Sequence, residues 1–150
     1  MNRPVLGAAV AALAFALAGF CAVTAAADPT PAIAAAQQNR LVFQVSDAEP
    51  AKWNLTLNNA LNVQQDLGPG NVDIEIVVFG PGIGMLKMDS VAGNRIADAM
   101  ASGVKVVACE NTMRNQKLTR QDMLPSISYV PAGVVELMRK QQQGWAYLRP

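Results

Sequence analysis

Val72-Asp73-Ile74-Glu75-Ile76-Val77-Val78-Phe79 (VDIEIVVF) reads as a strand. It alternates apolar and polar residues at first and is then continuously apolar. That change predicts a strand whose carboxyl-terminal half is covered on both faces, as in a parallel sheet flanked by helices. Gly80-Pro81-Gly82-Ile83-Gly84 follows and reads as a tight loop needing positive φ angles and close backbone approach. Working outward, four more strand segments appear at 40–45 (RLVFQV), 104–108, 127–130 and 145–148. Between them lie helical stretches. The first, at 51–67, starts after the capping and proline signal Ser46–Pro50 and stops at Gly68-Pro69-Gly70. Trp53, Leu57, Ala60, Leu61 and Gln64 share its apolar side. A second helix, about 91–101, turns Ile96, Ala99 and Met100 inward and ends at Gly103. The polar stretch 109–124 has room for a short helix. Pro131 opens a last helix with Val134, Leu137, Met138 and Gln141 on one face, ended by Gly144.

Strands alternating with helices predict an α/β fold: one small three-layer domain with a mostly parallel five-stranded sheet and helices on both faces. Ligands gather at the carboxyl ends of such strands. The loops expected there are Ser46–Pro50, Gly80–Gly84 and Cys109–Thr112.

The N-terminus reads as an export signal. Arg3 precedes an apolar run from Val5 to Val23, and Ala25-Ala26-Ala27 offers a small-residue cleavage site. An uncleaved membrane anchor is the alternative. Lipidation at Cys21 is disfavoured by the bulky Phe20 before it. The expected organisation is a signal peptide at 1–27, an Ala/Pro/Gln-rich flexible leader at 28–38 and the α/β domain at 39–150. Location is then periplasmic or secreted. Cleavage after Ala27 leaves 11 basic and 11 acidic residues, a balance with no global basic character to attract nucleic acid. Residues 105–150 carry seven basic and three acidic side chains, so the half containing Cys109 is positive.

The chain has no histidine, which removes most hydrolase triads, most zinc sites and the commonest general base. Thiol chemistry becomes the leading option. Cys109 closes the apolar run Val104–Ala108 and is the only cysteine left after cleavage. A cysteine that ends a strand and begins a helix meets backbone amides that favour its thiolate. Asn111 and Thr112 can bond the sulfur, and Arg114, Lys117 and Arg120 can add positive potential. The competing reading is a small buried hydrophobe. Gly80 and Gly82 belong to the same loop cluster, in a Gly-x-Gly-x-Gly pattern that lacks the features of a nucleotide-binding loop. Asn54, Asn58, Asn62 and Gln65 form an amide stripe: a solvated face, a subunit contact or a wall of the thiol pocket. Asp47 and Glu49 fit helix capping better than acid/base work. Met85, Met88, Met113 and Met123 fit core packing better than Cu(I) binding. The candidate site is therefore Cys109, with Asn111, Thr112, Gly80, Gly82 and Asn58 as pocket or anion-stabilising residues. No metal or organic cofactor is expected.

Gly103-Val104-Lys105-Val106-Val107-Ala108-Cys109-Glu110-Asn111-Thr112-Met113 resembles the cysteine-bearing segment of DsrE-like proteins. Val130–Glu136 and Gln141–Pro150 are similar to the ending of exported members, and the Phe79–Gly82 loop matches in position. The resemblance implies a small α/β fold, assembly into trimers or hexamers, and in sulfur-relay members a cysteine that carries sulfur as a persulfide. That role maps onto Cys109 and implies sulfur donor and acceptor partners. Relatives with the similar ending often have histidine where Phe79 stands, so any proton transfer from that position is absent here. The alternative function is an oligomeric binding module in which Cys109 is structural.

Overall fold

The computed structural model describes residues 39–150. The expected signal segment 1–27 and leader 28–38 lie outside these residues. Five strands form one sheet: β1 (Asn39–Val45), β2 (Val72–Val78), β3 (Lys105–Cys109), β4 (Ser128–Val130) and β5 (Ala146–Leu148). Four α-helices connect them: α1 (Pro50–Leu67), α2 (Gly93–Ala101), α3 (Glu110–Asn115) and α4 (Gly133–Gln142). The strand order is β4-β3-β2-β1-β5 and every pairing is parallel. The predicted α/β class and five-strand sheet are therefore observed. Among the described residues no helix is long and apolar enough to cross a membrane.

Handedness explains the layers. The chain steps one way across the sheet, from β1 through β4, and then jumps back to place β5 beyond β1. Right-handed crossovers in opposite directions put their helices on opposite faces. Side-chain parity agrees. Phe43, Ile76, Val78, Val106 and Ala108 pack with Trp53, Leu57, Ala60 and Ile96 in the larger core cluster. Val42, Val77 and Val107 face the other way and meet Leu137 of α4, with Phe79, Val130 and Trp145 around them. Ile76, Val77 and Val78 have no exposed surface, as the apolar run of β2 requires.

Three expectations need correction. Gly80–Leu86 is not a loop but two turns of 3-10 helix, burying Ile83, Met85 and Leu86. Leu61 does not join the buried side of α1; it is 48% exposed, and Thr56 is buried instead. On α4 only Gly133 and Leu137 are buried, while Val134 and Met138 stand in solvent. The methionines divide: Met85, Met113 and Met123 sit in the core, and Met88 is exposed.

The loops at the strand ends are tied by backbone. Gly80 takes φ +55°, and Gly82 donates its N–H to Ser46 O at 3.1 Å. A Cβ on Gly82 would lie 2.7 Å from Val45 O and 3.0 Å from Ser46 Cα, neither of which can move without breaking the end of β1. Gly82→Ala is expected to cost about 1–3 kcal/mol in denaturant unfolding. Gly70→Ala meets nothing within 4 Å and should stay within about 0.5 kcal/mol of wild type.

Candidate functional site

Cys109 is the last residue of β3 and the residue from which α3 starts. Its parity with Val107 turns the side chain toward α4. There Gly133, the first residue of α4, donates its N–H to Cys109 Sγ at 3.2 Å. The opening turn of α3 supplies the Asn111 and Thr112 amides and the Thr112 hydroxyl. The Thr112 oxygen in turn accepts from Gly80 N–H at 2.9 Å. Gln116 reaches Gly80 O, and Asn111 N–H also donates to Pro131 O. Three chain segments thus converge on one sulfur: the start of α3, the start of α4 and, through Thr112, the Gly80 turn.

The electrostatics favour a thiolate. Burial raises the Cys109 pKa, since only 4% of the residue is exposed. The donors outweigh it: Gly133 N–H first, then the Thr112 hydroxyl and the two α3 amides, so the net direction is below the ordinary thiol value. A buried cysteine serving only as a small hydrophobe has a raised pKa. Cys109 is shifted the other way, although Phe79 and Val130 lie on its side of the sheet. Because the folded value lies below the unfolded one, the thiolate contributes stability above the ordinary thiol value. That contribution disappears as pH falls through the folded value.

The sequence-predicted residues are placed as follows. Thr112 lies beside the sulfur and helps to lower its pKa. Asn111 acts through its backbone N–H, while its side-chain oxygen takes a hydrogen bond from Arg114. Gly80 sits one bond away, behind Thr112. Gly82 does not reach the sulfur; its N–H serves Ser46 O and Phe79 O. Asn58 is remote, its oxygen held by Arg95 of α2 as Asn54's is, while Asn62 and Gln65 face solvent, so the amide stripe is not a wall of the thiol pocket. The positive potential expected from the cations is reduced, because Arg120 pairs with Glu110 at 2.8 Å and stacks on Tyr129. Asp47 is likewise paired, with Arg149.

Gly133 is the functional residue the sequence reading missed. Its signal was a glycine just inside a helix opened by Pro131. A Cβ there would crowd the Phe79 ring at 3.0 Å, so a larger residue would have to push Phe79 aside for the amide to stay on the sulfur. Phe79 and Val130 make the surroundings on this side apolar. A cavity of about 790 Å³ lies elsewhere, between α2 and the segment before β4, and no titratable side chain lines it. Among the described residues no group of three or more His, Cys, Asp and Glu side chains is placed to hold a metal.

Thiolate absorbance of the folded protein is expected to rise at lower pH than in the unfolded chain. Thr112→Val removes a donor and strands Gly80 N–H. It should raise the midpoint and cost about 1–2 kcal/mol of stability. Thr112→Ser, which keeps the hydroxyl, should preserve the wild-type midpoint.

The model of the DsrE/DsrF-like family matches residues 39–150. Among solved structures, the chain is similar to the protein of unknown function MTH1491 from Methanobacterium thermoautotrophicum. That likeness has 32% identity and a TM-score of 0.72, over 75% of this chain and 99% of that one. It also resembles BT1422 from Bacteroides thetaiotaomicron, a conserved protein of unknown function. There the identity is 18% and the TM-score 0.63, over 77% and 97% of the two chains. The ychN protein from E. coli shares the fold at 12% identity and a TM-score of 0.60, over 74% and 97%. A search of curated protein sequences returns no match.

Proposed function

This chain belongs to the DsrE/DsrF-like family, which points to a sulfur-relay-related role, and on that premise we propose that Cys109 carries sulfane sulfur as a persulfide. The observation that supports this reading most is the buried Sγ that accepts from Gly133 N–H at 3.2 Å, with the opening turn of α3 beside it and a pKa held below the ordinary thiol value. The thiolate attacks the terminal sulfur of a polysulfide. A new S–S bond forms at Sγ, the bond behind the attacked sulfur breaks, and its electron pair leaves with the shortened polysulfide. In the second step a partner's thiolate attacks the outer sulfur, and Cys109 departs as a thiolate. No external oxidant is consumed. The same donors that lower the Cys109 pKa also make it a good leaving group in that return step. A bound second sulfur adds about 2 Å of reach, which helps a partner meet a sulfur that is otherwise nearly enclosed.

The reading includes self-assembly. Val134 and Met138 of α4 and Tyr147 of β5 are exposed on one face, and they support a subunit contact on that side. Light scattering of the purified protein is expected to give the mass of a trimer or hexamer; a monomer at all concentrations would remove this part of the proposal.

Intact mass spectrometry after incubation with polysulfide tests sulfur carriage. The expected result is a saturable gain of sulfur that reductant reverses and Cys109→Ser abolishes. No gain by a folded protein with a reduced thiol would leave Cys109 a packing residue and favour a binding module.

A further inference from the structure

Glu75 has no exposed surface, although it lies in the alternating half of β2, where a polar residue is expected to face solvent. Its Oε2 lies 2.9 Å from Lys140 Nζ and 3.1 Å from Lys105 Nζ, and neither carboxylate oxygen accepts a well-directed hydrogen bond. Lys140 is itself 13% exposed and lies over the Trp145 ring at 4.0 Å. Glu136, one turn back on α4, completes the charged groups around the pair, 3.7 Å from Lys140 Nζ. A buried ion pair is weak as a source of stability, and its best-attested use is to fix one packing register against another.

Such an alternative register exists here. Gly133, Leu137 and Lys140 are spaced i, i+4, i+7, so they form one stripe of α4. Each meets a successive row of the sheet: Gly133 meets Cys109, Leu137 meets Val77 and Val107, and Lys140 meets Glu75. Val134, Met138 and Gln141 form the neighbouring stripe with the same spacing, and its two apolar members are exposed. On apolar packing alone the second stripe, with two large hydrophobic residues, competes with the first, which has one. Rotating α4 by one residue would seat Val134 and Met138 and carry Gly133 N–H away from the sulfur. Lys105 of β3 stays beside Glu75 in either register, and only the first stripe adds the second, largely buried cation, Lys140.

We propose that Glu75 and Lys140 are positioning residues for Cys109: their buried ion pair selects the rotation of α4 that holds Gly133 N–H on Sγ. This rests on Cys109 working as a thiolate and not on what the thiolate carries.

The test is the thiolate titration and the alkylation rate at pH 7 of the full domain bearing Glu75→Leu with Lys140→Met. Removing both charges together leaves no unpaired buried carboxylate, so the variant is expected to fold. Glu75→Gln, which keeps the shape, provides a second reading. Both should titrate at higher pH than wild type and alkylate about threefold or more slowly, whereas Lys140→Arg should behave as wild type. Ile96→Val loosens the opposite face and should leave the titration unmoved. A folded double variant with the wild-type midpoint would overturn the proposal. So would an equal shift in Ile96→Val, because the effect would then be general loosening. The thiol itself is the readout, so a protein that takes up no sulfur still gives an answer.

Discussion

Burial of β2 on both faces is the constraint from which the other placements follow. Ile76, Val77 and Val78 admit no solvent on either side, so helices must cover the sheet above and below. Right-handed crossovers then put α1 and α2 on one face and send α4 to the other. Parity along β3 assigns Val106 and Ala108 to the first layer and Val107 and Cys109 to the second. The sulfur therefore meets the start of α4 as a consequence of strand geometry. The start of α3 follows Cys109 directly in the chain, so its amides arrive with it.

Within that frame Thr112 joins two parts of the structure. It lies beside the sulfur and helps to lower its pKa, while its oxygen accepts from Gly80 N–H. Gly80 belongs to the 3-10 stretch that Gly82 fastens to the end of β1. The site is thus anchored to β1, β2 and β3 through hydrogen bonds, and to α4 through Gly133. Phe79 adds an apolar side and contributes no proton. The result is a site that stabilises an anion with dipoles alone, without a fixed cation in contact with the sulfur.

Much of this was legible in the sequence because period and punctuation are strong signals. The run VDIEIVVF, the helix stop at Gly68 and the apolar run into Cys109 led to the right layers, and the strand-end loops meet as expected. What the sequence hid had physical causes. GPGIGML contains three glycines and a proline and has no 3.6-residue period, so a 3-10 stretch looks like a loop. Glu75 follows the polar phase of an alternating strand, and only the path of α4 overhead buries it. On α4 the large apolar residues pointed to the wrong stripe, since a glycine and a lysine carry little hydrophobic signal. Asn58 has the composition of a pocket wall but is used by Arg95, a partner 37 residues away that no local pattern reveals.

Both margins of the sheet are three residues long, Ser128–Val130 on one side and Ala146–Leu148 on the other. A long bare edge invites further strands to add, the route to runaway polymers. Margins this short offer too few free amides and carbonyls to template a ladder. Contact with another protein must therefore draw on side chains, which discriminate between partners where backbone does not. With so little backbone at its margins, the choice of what this sheet meets falls to the side chains on its faces.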